Sequence, residues 1–357
     1  MSTFLFAAHP ATGHLNPLLA IARGLTAAGH EAVFACSAPA PAAQAVVAQG
    51  FRLVSLPPSP LLLAGAVLLP RTSGFLETCV AVTMFTRGLS GYAVALARWI
   101  DDLAPAAVVA DFTFPAAGLA AELRGVPWAA VYHAGLSFPG PGVPPFGSGL
   151  AIGADWGLAG TWYRAASDWL ERGVSRAIRR ARRRLGLPEA EAAMLARPAS
   201  KWLNLALTAE ALEAPRDPLP RNTFFVGPCI DADRPQSTDF PFKRLDPSLP
   251  KIYASLGTVF NDRPAVFRRI LDAFTDGRHQ LVVASGAAFG RLSSSALSTN
   301  AIVVRSAPQL ALLSRVDAVI GHGGNNTTNE TLAAGKPLLI LPAGGEQGDN
   351  ASRVVHL

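Results

Sequence analysis

Short apolar runs alternate with amphipathic segments along most of the chain. Thr3–Ala8 is an apolar run of strand length; Asn16–Ala28 spaces its apolar residues as a helix and is stopped by Gly29; Glu31–Cys36 is strand-like again. Phe51–Ser55, Ala107–Ala110, Trp128–Tyr132 and Phe224–Val226 continue the alternation. Apolar runs without a polar face, separated by helices, predict a parallel sheet covered on both sides, a doubly wound α/β domain. From Gly227 to Pro250 the periodicity vanishes while Pro, Asp and Ser accumulate, which predicts a linker. The alternation then resumes with a strand at Lys251–Ser255, a helix at Pro264–Asp276, strands at Gln280–Ala284, Ala301–Val304 and Asp317–Gly321, and a short helix from Thr327 to Ala334. Two domains follow, 1–226 and 251–357.

Composition agrees with two cores of ordinary size: 357 residues, 50% of them apolar. Lys and Arg exceed Asp and Glu by 31 to 25, but charged residues make up only 16% of the chain. Much of the excess is seven arginines within 172–184, on one expected helix. No interleaved aromatics or binding module accompany them, so they read as a solvated helix face, with no nucleic-acid partner. Cys36, Cys79 and Cys229 lie too far apart for a disulfide framework or a metal-ligand set, which suits a reducing compartment. The N-terminus has no basic leader, and Leu61–Leu69 is too short to span a bilayer and ends in Pro70. A soluble, cytoplasmic protein without stable membrane insertion is expected.

Two irregular stretches, Pro57–Gly74 and His133–Gly160, are long for a compact domain. With Leu61, Leu62, Leu63, Phe75, Phe138, Phe146 and Trp156 they suit the wall of an apolar pocket, or equally loops folded over the core.

The most informative stretch is Arg305–Ala351. A strand ending at His322-Gly323-Gly324 and restarting as a helix turns unpaired backbone N–H groups and a positive dipole end into the loop. His322, Asn326 and Thr327 add side-chain donors, so a diphosphate is the expected ligand. At the other end of the chain, His14 lies between the first strand and the expected helix, with Asn16 as candidate N-cap and Pro17 in the first turn. A lone histidine there is more often structural than catalytic. Asp111 closes another strand at the same sheet edge and is either a partner for His14 or the N-cap of a helix starting near Pro115.

Pro308-Gln309, His322-x-Gly324-x-Asn326-Thr327-x-x-Glu330, Gly335-x-Pro337, Pro342, Glu346-Gln347 and Asn350-Ala351 together resemble the nucleotide-sugar signature of family 1 glycosyltransferases. The resemblance implies the GT-B architecture, two facing Rossmann-like domains with donor and acceptor between them. Gly13-His14-x-x-Pro17 resembles the family's catalytic segment, which makes His14 the general base and Asp111 its orienting partner in an inverting transfer. By the same resemblance Ser255, Gly257 and Thr258 form an additional phosphate loop. Glu330 would hold the ribose, with a capping box on Thr327 as the alternative, while Glu346 and Gln347 would grip the sugar, the latter leaning towards glucose. Ser306, with Gln309 close behind, stands where the family usually stacks a tryptophan on the base. A UDP- or TDP-sugar co-substrate is implied, with no cofactor and no metal. The implied acceptor is a small apolar hydroxylated natural product, for which Phe75, Phe112, Phe138 and Phe146 are candidate contacts. Family members continue beyond the position of Leu357, so an incomplete second domain is expected, and with it a catalytically weak nucleotide-sugar-binding form as the alternative; a nucleotide-sugar epimerase is a third reading. A homodimer is compatible with these features.

Overall fold

The computed structural model describes residues 1–37, 41–58, 74–191, 194–236, 239–292 and 300–357. They form two compact units, Met1–Asp231 with Ser352–Leu357, and Ala232–Ala351. The apolar residues Leu61–Leu63 lie outside the described residues.

In the first unit the strands are β1 (Thr3–Ala7), β2 (Glu31–Ser37), β3 (Arg52–Leu56), β4 (Ala107–Asp111), β5 (Trp128–Tyr132), β6 (Leu203–Ala206) and β7 (Thr223–Phe225). Their order is β3-β2-β1-β4-β5-β6-β7, and all neighbours are parallel. The helices are α1 (Thr12–Ala27), α2 (Pro41–Ala48), α3 (Gly74–Thr86), α4 (Leu89–Leu103), α5 (Pro115–Leu123) and α6 (Gly157–Arg184). Strand alternation feeds two cores. Leu5 and Ala7 pack with Leu96 and Ile100 of α4 and Leu119 of α5, whereas Phe6 and Ala8 pack with Leu15, Leu18 and Leu19 of α1. Burial on both faces is the reason these strands read as unbroken apolar runs.

The second unit repeats the scheme with β8 (Lys251–Ser255), β9 (Gln280–Ala284), β10 (Ala301–Val304), β11 (Ala318–Gly321) and β12 (Leu338–Ile340), in the parallel order β10-β9-β8-β11-β12. Its helices are α7 (Pro264–Asp272), α8 (Gln309–Leu313), α9 (Asn325–Ala333) and α10 (Gln347–His356), the last passing into the first unit at Ser352. Ala254, Val283 and Ile320 face Phe267 and Ile270 of α7, while Tyr253, Val282 and Val319 face Leu312 and Leu313 of α8.

Several boundaries differ from the sequence reading. Helix α1 begins at Thr12, capped by the backbone of Ala11 with no side-chain bond, so Asn16 is not an N-cap and Pro17 lies inside the helix. His14 therefore belongs to the first turn of α1 and does not precede it. Strand β6 escaped notice because Asn204 interrupts its apolar run; buried, Asn204 is satisfied by Ser200, accepting from the amide at 3.0 Å and donating to the carbonyl at 2.7 Å. Helix α7 stops at Asp272, four residues short of its expected end. The expected linker is partly core, since Phe240 is buried in the second unit. On α6 the arginines are exposed except Arg182, which turns inward onto Glu122 through bonds of 2.6 and 2.7 Å. Among the described residues no single helix is long and apolar enough to cross a membrane.

Candidate active site

Each sheet reverses its strand order once: in the first between β1 and β4, in the second between β8 and β11. Ligands of open α/β sheets collect outside the carboxyl ends of the strands at such a switch point. His14 and Asp111 meet at the first of these places, and Ser255, Gly257 and His322 at the second.

In the first unit Ala7 of β1 pairs with Ala110 of β4, and Asp111 pairs with Val131 of β5. This register brings the turn from β1 into α1 over the end of β4. His14 contacts Asp111 there through Nδ1 and Oδ2. The second carboxylate oxygen, Oδ1, accepts from the Thr113 amide and hydroxyl, both at 2.9 Å, and lies 3.4 Å from Nδ1 of His133. Asp111 is buried. Burial by itself would raise its carboxyl pKa, but the imidazoles of His133 and His14 outweigh that and hold it well below the usual carboxylate range. An ionised carboxylate only accepts, so Nδ1 of His14 holds a proton towards Asp111 and Nε2 is the ring nitrogen left outside the pair. Such a pair can serve as a base with its orienting partner.

Thr113 answers the question left open about Asp111. Its bonds use Oδ1 within the β4–α5 turn, while α5 has Phe114 as its N-cap and no side-chain cap bond. Asp111 does not cap the helix. Below the pair, His9 is stacked on Phe85 at 4.6 Å with Nε2 at 3.1 Å from the Thr113 carbonyl; burial and then neighbouring His14 push its pKa down to about 4, so it is neutral. Thr113, His9 and His133 were not anticipated. The signal for His133 was present, because it directly follows β5 at the same sheet edge as Asp111.

Of the aromatic candidates, Phe112 and Phe138 are corrected to core residues. Phe112 stacks on Tyr132 at 4.6 Å and Phe138 meets Tyr132 edge-on at 6.0 Å, all three buried. Their surfaces are already occupied. Phe75 and Phe146 are half-buried, Phe75 lying edge-on to Trp162 at 5.6 Å. Among the described residues, His14, Asp111 and His133 form the one group offering three ligand atoms within 4.8 Å of one another. Because His14 and Asp111 are already in direct contact, an ion would have to part them; the geometry is that of a hydrogen-bonded relay.

In the second unit Ser255 of β8 pairs with Gly321 of β11, so the loops after both strands lie side by side. Between them sits His322, with Gly257 and Gly324 against its ring; a Cβ at either position would collide with the imidazole, and Gly257 also has φ +72°. Only glycine fits this sandwich. The Gly257 loop is braced by Asn261, which donates to the Gly257 carbonyl at 2.8 Å, and by Ser255 Oγ, which accepts from the Gly257 amide at 3.3 Å; Thr258 is exposed. His322 is buried, its Nδ1 has no hydrogen-bond partner among the described residues, and burial lowers its pKa to about 4. It is a neutral ring beside the start of α9, whose N-cap Gly324 supplies no side chain. Asn350 fixes the loop by donating to the Gly323 carbonyl at 2.8 Å.

Helix α9 starts at Asn325, not Thr327, which removes the capping-box reading of Thr327 and Glu330. Glu330 is buried and holds Arg234 through bonds of 2.6 and 2.9 Å, while Gln309 Nε2 donates to it at 2.6 Å and lies 3.5 Å from Thr327 Oγ1. Arg234 carried no sequence signal, coming from the irregular stretch expected to be linker. Asn326, Ser306 and Glu346 are at least partly exposed. Gln347 is buried with its side-chain oxygen accepting from the amides of Ala343 and Gly344 at 2.8 and 3.2 Å, so it braces the loop before α10.

Two family comparisons cover nearly the whole chain. Residues 13–199, just over half of it, match the family described as "Glycosyl transferase 4-like domain", and residues 190–357 match "UDP-glucoronosyl and UDP-glucosyl transferase". The chain belongs to the family 1 glycosyltransferases. A relative among these glycosyltransferases, a zeaxanthin glucosyltransferase from Pantoea ananas, is 32% identical over 270 residues, which are 73% of this chain and 61% of that protein. The match thus spans less than two thirds of the relative's length. Solved glycosyltransferases share the fold at low identity. The kitacinnamycin glycosyltransferase superposes with a TM-score of 0.76 at 20% identity, covering 99% of this chain and 84% of that one. VinC, solved in complex with dTDP, gives 0.69 at 20% identity over 99% and 84% of the two chains. The two parallel-sheet units are those of the GT-B architecture.

Proposed function

We propose that this chain transfers a hexose, glucose in the first instance, from a UDP- or TDP-sugar to a hydroxyl of a small apolar natural product, with inversion at the anomeric carbon. The observation that carries the reading is the His14–Asp111 pair at the β1/β4 switch point. Nε2 of His14 takes the acceptor's hydroxyl proton, and Asp111 stabilises the imidazolium as it forms. The acceptor oxygen attacks the anomeric carbon as the bond to the diphosphate breaks on the opposite face. In this reading the negative charge growing on the leaving diphosphate is met by the Gly323-Gly324 backbone, Asn326, Thr327, His322 and the positive end of α9. The Ser255–Thr258 loop borders the same place.

Glu330 is the ribose ligand in this scheme, which requires it to share or exchange its bonds to Arg234. Ser306 and Gln309 flank the base, and Glu346 meets the sugar. Support for glucose and an apolar acceptor comes from the zeaxanthin glucosyltransferase among the relatives. Support for a thymidine donor beside a uridine one comes from the dTDP-bound structural neighbour. Titration calorimetry with UDP and dTDP tests the donor site. Binding of at least one is expected, weakened roughly tenfold or more by Asn326→Ala, since one charge-assisted bond is worth about 1.5–3 kcal/mol. No heat with either nucleotide would contradict the proposal.

A further inference from the structure

Helix α6 turns Leu170, Val174, Ile178 and Ala181 onto the first unit's core, at spacings of three and four residues. The side facing away is continuous too, but it changes chemistry half-way. Leu158, Trp162 and Trp169 are 90%, 55% and 57% exposed, and their spacings of four and seven residues set them on one line along the helix. The same line continues through Arg176, Arg180 and Arg183, all exposed, with exposed Arg172 and Arg184 on its flanks. Leu76 on α3, 61% exposed, is the neighbour of Phe75, whose ring meets Trp162, and so enlarges the apolar end.

The acidic residues of α6 do not interrupt this line. Asp168 is exposed but about a quarter turn to one side. Glu171 is turned onto the amides of Met194 and Leu195, at 3.2 and 2.9 Å. Two exposed tryptophans in line with a row of arginines are the composition of a helix that lies in a membrane interface, where indole rings settle at headgroup level and cations meet anionic lipid.

We propose that α6 lies along the surface of an anionic lipid bilayer, Trp162 and Trp169 entering the headgroup layer and Arg176, Arg180 and Arg183 facing lipid phosphates. Charge and shape select this occupant. A nucleic acid would satisfy the arginine row and leave Leu158 and Leu76 in water. An apolar protein patch would cover the tryptophans and strand the arginines. A bilayer that is anionic at its surface and apolar beneath meets both ends of one helix at once. This is adsorption, not insertion, and it stands independently of the proposed reaction.

The test is sedimentation of the full chain with vesicles of equal parts phosphatidylglycerol and phosphatidylcholine, and with pure phosphatidylcholine. Binding is expected to the anionic vesicles alone, with release at high salt and a blue shift of tryptophan emission. Trp162→Ala with Trp169→Ala, and separately Arg176→Glu with Arg180→Glu and Arg183→Glu, should each lower partitioning by roughly tenfold or more. All five positions are exposed, and unchanged thermal unfolding verifies that each variant is folded. The proposal is overturned by any of four results. The protein stays in the supernatant with anionic vesicles; either variant set sediments like the parent; an RNA or DNA duplex binds with the same dependence on both sets; or sizing shows an oligomer that the tryptophan variant dissociates.

Discussion

Replacing Asp111 by Asn changes one atom and tests the proposed base most sharply. Oδ1 accepts from the Thr113 amide, whose hydrogen cannot be turned away, and also lies beside the Thr113 hydroxyl and His133. An asparagine at 111 must therefore keep its oxygen on that side, because the flipped amide would set N–H against N–H. Its NH₂ group is then forced towards Nδ1 of His14, which must accept. The ring proton moves to Nε2, and the nitrogen that would take the acceptor's proton is blocked. Enforcing the wrong tautomer in a comparable relay costs about 10⁴ in turnover, roughly 5 kcal/mol of barrier. Steady-state transfer rates with and without Asp111→Asn, beside donor affinity by calorimetry, are the assay. The rate should fall by about three to four orders of magnitude while affinity stays within about twofold. A loss under about tenfold would refute the tautomer argument.

Three further outcomes follow from the same structure. His9 is held neutral to about pH 4 while an unfolded histidine titrates near 6.5, so as the pH falls between these values the unfolded state takes up a proton that the fold refuses. The first unit should lose roughly 3 kcal/mol over that window, and because all six tryptophans lie in 1–231, urea unfolding followed by tryptophan emission reads it; a flat midpoint from pH 6.5 to 4 would contradict it. Gly257→Ala drives a methyl into the His322 ring at a positive φ, and should weaken diphosphate binding by roughly tenfold or more while leaving tryptophan-monitored unfolding unchanged. Glu330→Ala leaves Arg234 charged and poorly solvated, and should destabilise the second unit by about 3 kcal/mol, read as faster amide exchange in β11 and α9; unchanged exchange would mean that the pair is not formed in solution.

The sheet strands were legible where both faces are buried, because a run such as Ala107–Ala110 has no polar residue to obscure it. Boundaries were harder to read wherever the chain departs from simple capping. Nothing in Asn16-Pro17 announces that α1 starts four residues earlier, since the backbone of Ala11 does the capping. The positions of His14 and Asp111 followed from strand ends and from the family resemblance, but their contact depends on the β1–β4 register, which is a property of tertiary pairing. His133 needed the same knowledge. Arg234 was out of reach, because a residue in an irregular stretch gains its meaning only when the chain folds back onto Glu330. Phe112 and Phe138 misled because an aromatic beside a candidate site reads identically whether it lines a pocket or fills a core.

In the proposed reaction His14 removes the acceptor's proton during transfer from a nucleotide sugar. The direct measurement is incubation of the full chain with UDP-glucose or TDP-glucose and a panel of apolar phenolic and polyketide alcohols, followed by mass spectrometry, in parallel with His14→Ala. An acceptor heavier by one hexose is expected, with the product lost in the variant although donor binding persists. Product formed equally by the variant would contradict the assignment of the base, and donor bound with no product from any acceptor would contradict the transfer itself.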